Sequence, residues 1–227
     1  MSAPHGLALK QPPLPPHHIY RDFLDPAEEA MLLAWALNSR ARFKPATLAG
    51  GKVDPDRRTA ECLTDLGPAA AIFRDRIRAM MPDMLARTAT RPFALEFIEL
   101  ELVAHGHGAH FTTHTDMPIG WGRSPLGGDA TGTQDRLLSA VYYFHRQPKR
   151  FSGGQLRIHR STPDDDPTDL PPVRTAADQV DLEPERNSLL VFPSWASHEV
   201  LRVDCPSRRF EDHRFAVNIW LCATLPR

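Results

Sequence analysis

The sequence predicts an α+β chain in which two N-terminal helices precede a β-rich sandwich or barrel. Three observations carry this: a helix-start signature at Asp25-Pro26-Ala27-Glu28, a helical apolar stripe further on, and a change of hydrophobic period after Pro92. In the first, Asp25 is the N-cap, Pro26 takes the first helical position and Glu28 closes a capping box, with the helix running to about Asn38. In the second, Phe73, Ile77, Met80 and Met84 recur at spacings of four, three and four and so share one face. Pro82 lacks an N–H donor and is expected to kink this helix or end it early.

After Pro92 the period becomes two: Ile98, Leu100 and Leu102 alternate with Glu99 and Glu101. Short apolar runs separated by turn residues follow, and strands are expected at 95–104, 109–115, 137–144, 155–159, 188–192, 199–203 and 214–222. The segments 117–136 and 161–172, rich in Gly, Asp, Ser, Thr and Pro, read as long surface loops, the first a natural lid. Residues 1–18, with Gln11-Pro12-Pro13-Leu14-Pro15-Pro16, read as a tail. That leaves 19–227 as one domain, with helical support over 19–92 and a β core over 93–227.

Composition narrows the function. Lys plus Arg total 27 against 28 Asp plus Glu, a formal charge of -1, so no electrostatic footprint points to nucleic acid. Three widely spaced cysteines, Cys62, Cys205 and Cys222, form neither a disulfide framework nor a zinc motif and fit a reducing compartment. Leu7-Ala8-Leu9 leads straight into Lys10 and prolines, and no apolar run approaches membrane-spanning length. A cytoplasmic protein without a membrane partner is expected.

The chemistry concentrates in three histidine and aspartate positions. His114 and Asp116 are two apart, so an extended strand projects both to one face. His198, just past an apolar strand and a Pro193-Ser194-Trp195 turn, is placed to complete a facial triad. Two imidazoles and one carboxylate on one octahedral face suit Fe(II) and leave three positions open, whereas structural zinc closes all four with protein ligands. His105, His107 and His110 read as turn and surface residues, since Gly106 and Gly108 interrupt regular geometry there. Arg57 and Arg58 read as solvated loop charges, and Trp220 as core.

Four ordered segments then resemble a known family. They are His114-Thr115-Asp116; Val141-Tyr142-Tyr143-Phe144 followed by Gly153-Gly154-Gln155-Leu156-Arg157-Ile158; Phe192-Pro193 leading to His198-Glu199-Val200; and Arg214-Phe215-Ala216-Val217-Asn218-Ile219-Trp220. Together they resemble the prolyl 4-hydroxylase-like branch of the 2-oxoglutarate and Fe(II)-dependent dioxygenase superfamily. The resemblance implies a double-stranded β-helix (jelly-roll) core with Fe(II) held by His114, Asp116 and His198. It also implies Arg214 and Tyr143 on the far carboxylate of 2-oxoglutarate, with Tyr142 on the opposite sheet face. Dioxygen is the second co-substrate, ascorbate a further implied ligand, and hydroxylation of a prolyl residue the implied reaction. A free amino acid or small metabolite is the alternative substrate, and a metal-dependent hydrolase or a non-catalytic β-barrel sensor the alternatives of other classes. Two departures stand out. His198 and Arg214 are 16 positions apart, which implies a longer hairpin and leaves Arg208 or Arg209 as lesser candidates. Where many relatives carry a tyrosine ahead of the metal strand, this chain has Ala104-His105-Gly106.

Overall fold

The computed structural model describes residues 13–48, 51–117, 134–161 and 178–224. In chain order the elements are β1 (His18–Arg21), α1 (Pro26–Asn38), β2 (Lys44–Pro45), β3 (Arg58–Thr59), β4 (Glu61–Leu63), α2 (Ala69–Arg87), β5 (Phe97–His105), β6 (His110–His114) and β7 (Gln134–Phe144). There follow β8 (Ser152–Gly153), β9 (Leu156–His159), β10 (Gln179–Leu182), β11 (Ser188–Pro193), β12 (His198–Val200), β13 (Val203–Asp204) and β14 (Arg214–Thr224). The expected lid at 117–136 and loop at 161–172 lie largely outside the described residues, although β7 already begins at Gln134.

Two antiparallel sheets build the jelly roll. The larger has the order β1-β11-β7-β14-β5-β4-β2, the smaller β10-β9-β12-β6-β3, and β13 pairs with β8 in a separate ribbon. Strand β14 is central, pairing with β5 from Arg214↔His105 to Cys222↔Phe97 and with β7 on its other side. Successive side chains of these strands alternate between two cores. Ile98, Leu100, Leu102 and Ala104 of β5, with Phe215, Val217, Ile219 and Leu221 of β14, pack against the helices. Tyr143 and Val141 of β7 and Ala216 of β14 turn inward and meet Leu156 and Ile158 of β9 and Phe192 of β11.

The helices brace the outer face. Asp25 accepts from the amides of Ala27 and Glu28, both at 2.8 Å, while Glu28 accepts from the Asp25 amide at 2.9 Å, which completes the capping box. Helix α2 runs five residues past Pro82 to Arg87 rather than ending early. Its apolar stripe holds it in place: Phe73, Ile77 and Met84 are fully buried. Burial of each contributes about 1.5–3 kcal/mol, comparable to the roughly 3 kcal/mol an internal proline costs.

The N-terminal region holds more strand than expected. Strand β1 starts at His18, the last residue of the expected tail, and pairs with the edge of β11 through His18↔Val191 and Ile19↔Leu190. Short strands β2, β3 and β4 lie inside the region read as helical support, and β4 adds to β5 while β3 adds to β6. Among the described residues, no helix is long and apolar enough to cross a membrane. The three cysteines are free thiols.

Candidate active site

Strands β6 and β12 lie side by side with His114 directly opposite His198. Asp116 follows His114 past the strand end, where its amide donates to the carbonyl of Ser194 at 3.0 Å. Each imidazole is oriented by its own chain. Nδ1 of His114 donates to the carbonyl of Thr112 at 2.8 Å, and Nδ1 of His198 to that of Ala196 at 2.9 Å. A carbonyl only accepts, so each Nδ1 carries the proton and each Nε2 presents a lone pair. Those Nε2 atoms lie 3.9 and 3.8 Å from Oδ1 and Oδ2 of Asp116, respectively.

Ser139 on β7 donates to Oδ2 of Asp116 at 2.7 Å and is itself joined to Ser194 at 2.8 Å. The ring of Phe111 stacks on His114 at 3.6 Å, and Phe192 meets His198 edge-on at 4.8 Å. Burial, then the neighbouring His198, holds His114 far below the usual histidine range, which keeps it neutral and able to ligate. One ligand atom from each of the three residues lies within 4.8 Å of the others. Two imidazole lone pairs and a carboxylate, with no donor among them, repel one another unless a cation sits between. The donor set therefore fits a divalent metal, with the outward hydrogen bonds supplying the support that orients metal ligands.

The cluster lines a cavity of about 1150 Å³ that also receives Arg214, His105, Arg58, Asn218 and Trp220. Arg214 is 1% exposed. Its guanidinium stands over the ring of Tyr143 at 4.8 Å and donates from one Nη to Nδ1 of His105 at 3.0 Å. No carboxylate pairs with it among the described residues, and its Nε and the Tyr143 hydroxyl are both buried without a hydrogen-bond partner. Burial pushes the Tyr143 phenol up to about 12, with Arg214 pulling the other way. Gly154 makes the room: a Cβ there, where φ is +71°, would lie 2.6 Å from Cδ of Arg214. Tyr142 lies on the other sheet face, against Phe23 and Phe73.

Four sequence expectations are corrected here, one of them His110, which lies half-buried on β6 rather than in a turn. His105 is not a turn residue; β5 runs through it, and it is 5% exposed beneath Arg214. Arg58 is not a solvated charge: it is paired with Glu101 at 2.8 Å, lies over the Phe111 ring at 5.0 Å and lines the cavity. Trp220 is cavity wall rather than core, covered by the Arg136 guanidinium at 3.7 Å. Arg57 is exposed at the cavity lining, His107 is an exposed turn residue, and His110 is on β6. Arg208 and Arg209 are exposed, the latter paired with Glu211. Sequence reasoning missed Ser139 and Glu101. Strand parity identifies both, since each shares the inward face of its strand with a residue already singled out, Tyr143 and His105 respectively.

The comparisons with known proteins agree with this geometry. The description "2OG-Fe(II) oxygenase superfamily" matches residues 100–222. An uncharacterized PKHD-type hydroxylase of Synechocystis is 31% identical over 203 residues, covering 88% of this chain and 61% of that protein. The chain thus spans about 61% of the length of this curated relative. Among solved structures, a prolyl-4-hydroxylase of Pseudomonas putida superposes with a TM-score of 0.62 at 20% identity, covering 92% of this chain and 93% of that one. A prolyl hydroxylase of Trichoplax adhaerens, solved with a hypoxia inducible factor oxygen degradation domain peptide fragment, gives 0.62 at 17% identity, covering 91% and 83%. With a jelly-roll core, a His–Asp–His cluster inside it and the family match across most of that core, the chain belongs to the 2OG-Fe(II) oxygenase superfamily.

Proposed function

We propose that this chain is an Fe(II)- and 2-oxoglutarate-dependent dioxygenase that hydroxylates an unactivated C–H bond of a prolyl residue in a peptide or protein. One observation carries the reading: the same cavity holds three converging metal donors and a buried guanidinium with no acid partner among the described residues. An unpaired buried charge costs several kcal/mol, so this end of the cavity is built to receive an anion.

His114, Asp116 and His198 would hold the metal, and Arg214 with Tyr143 the far carboxylate of 2-oxoglutarate. When bound, Fe(II) and 2-oxoglutarate supply the oxidative chemistry: dioxygen is consumed, the keto acid leaves as succinate and CO2, and one oxygen atom enters the substrate C–H bond. The protein's part is orientation and exclusion. The carbonyls of Thr112 and Ala196 hold the two imidazoles with Nε2 inward, and Ser139 fixes the carboxylate. Arg214 offers a planar fork that matches a carboxylate with two parallel bonds. Val141 and Leu156 give the cavity an apolar wall that limits water.

The prolyl substrate rests on the likeness to prolyl hydroxylases. A second reading, a small polar metabolite, is favoured by the charged pairs Arg58–Glu101 and Arg136–Glu99 on the cavity wall. The test is succinate formation from 2-oxoglutarate by protein loaded anaerobically with Fe(II) and then exposed to oxygen, with and without ascorbate. Proline-rich peptides and polar metabolites are supplied separately. Turnover that disappears in His198→Ala, and that peptides stimulate, is expected. No succinate, together with tight zinc binding and hydrolytic turnover, would replace this reading with a metal-dependent hydrolase.

A further inference from the structure

We infer that His105 is part of the co-substrate site: it orients Arg214 through Nδ1 and donates its Nε2–H to the far carboxylate of 2-oxoglutarate. The inference rests on the reading above and adds a third group to the anion-binding end of the cavity.

His105 ends β5 directly opposite Arg214, the first residue of β14, and Tyr143 on β7 pairs with Ala216 on the far side of β14. Positions 214 and 216 share one face of β14, so three adjacent strands bring His105, Arg214 and Tyr143 to the same wall. The second step is hydrogen-bond logic. Arginine has only donors, so the 3.0 Å contact between an Arg214 Nη and Nδ1 of His105 requires Nδ1 to accept. A neutral imidazole that accepts at Nδ1 carries its proton on Nε2. Burial, together with the positive charges of Arg214 and Arg58, keeps this ring neutral.

The third step is where that Nε2–H goes. His105 lines the cavity, and every hydrogen bond of its ring among the described residues is to Arg214, at the guanidinium and at the main chain, so no other described residue competes with a ligand for its Nε2–H. Arg214 Nε and the Tyr143 hydroxyl are likewise without partners. Three groups able to donate, with no carboxylate paired to them among the described residues, suit a carboxylate ligand, which accepts at about four positions. Gly154 lies directly behind Arg214: a Cβ on that glycine would stand 2.6 Å from Cδ of the arginine, so the side chain is packed against its backbone.

The experiment combines a spectrum with a binding series. In 15N-histidine protein loaded with diamagnetic Zn(II), long-range proton–nitrogen spectra assigned with His105→Asn should show His105 with its proton on Nε2. Adding 2-oxoglutarate should shift that Nε2 resonance. In calorimetry, His105→Phe keeps a planar ring and removes both nitrogens. It should weaken 2-oxoglutarate by roughly 10- to 100-fold, the worth of one hydrogen bond to a charged group. Zn(II) affinity should stay unchanged. His105→Gln, whose amide reaches the Nε2 position, should recover part of the loss. With Fe(II), the defect should appear in the KM for 2-oxoglutarate and not in kcat at saturation. A proton on Nδ1, an unmoved Nε2 resonance, or a His105→Phe protein that binds as wild type does would overturn the inference while leaving the oxygenase reading intact. Rescue by His105→Asn alone, which supplies only the Nδ1-position acceptor, would reduce His105 to a support for Arg214 and overturn its direct role. Wild-type protein that binds no 2-oxoglutarate would remove both readings.

Discussion

The two faces of β5 and β14 differ in what they are asked to do. Toward the helices, Ile98, Leu100, Leu102, Phe215, Val217, Ile219 and Leu221 form a continuous apolar layer. Toward the cavity, the same strands present Glu99, Glu101, His105, Arg214, Asn218 and Trp220. One face stabilises the fold and the other carries its polar chemistry, and the period of two keeps them one residue apart. The lesson is that this sheet's stability and its function are separable by parity, so substitutions on the two faces should fail in different ways.

The largest contrast should come from Arg214→Met. Losing two charge-assisted bonds of roughly 1.5–3 kcal/mol each should weaken 2-oxoglutarate by roughly 10²- to 10⁴-fold in calorimetry. Stability should hold or rise, because the change removes an unpaired buried charge. A fall in the denaturant midpoint would contradict that account. Phe73→Ala on the helix face should do the reverse: it should cost about 3–5 kcal/mol in urea unfolding and leave metal and 2-oxoglutarate affinity of the folded protein unchanged.

Ser139→Ala tests the support behind the cluster. Releasing Asp116 should lower metal affinity roughly 10- to 100-fold, measured by competition with a chelator, with little change in stability. The smallest effect is electrostatic. His105 has a folded pKa well below its unfolded value near 6.5, so the unfolded state binds the extra proton. Its contribution to stability is full above pH about 6.5 and is lost as pH falls, at up to about 1.4 kcal/mol per pH unit. Unfolding curves from pH 7 to 5 should be shallower by about that slope in His105→Asn. Equal slopes would mean His105 is not the neutral buried group described here.

Much of this was legible because strand parity is a strong signal. The alternation at Glu99 to Leu102 located β5, the neighbour of the central strand, and the His114, Asp116 and His198 spacing located the cluster. Tyr143 fell on the inward face and Tyr142 on the outer one, as the resemblance implied. Other features left weaker traces. Strand β1 is four residues long beside a proline run, so its pairing with β11 depends on long-range contact rather than local pattern. Ser139 and Ser194 are small hydroxyls with no metal signature of their own, and only the folded chain places them beside Asp116. His105 was misread because Gly106 and Gly108 suggested a turn one residue too soon, whereas the strand ends on the histidine itself. Arg58 looked solvated because its partner, Glu101, is far along the chain.

The central position of β14 has a consequence for how the protein is made. It is the last strand of the large sheet in sequence yet sits between β7 and β5, and Arg214 meets His105 at a separation of 109 positions. During synthesis, β5 and β7 leave the ribosome with unpaired edges facing each other and cannot close until residues 214–224 follow. Such long-range closure is slow and exposes strand edges meanwhile. The anion-binding wall therefore cannot assemble until β14 has been made, and a chain stalled before β14 would have its metal donors already made but no pocket in which to use them.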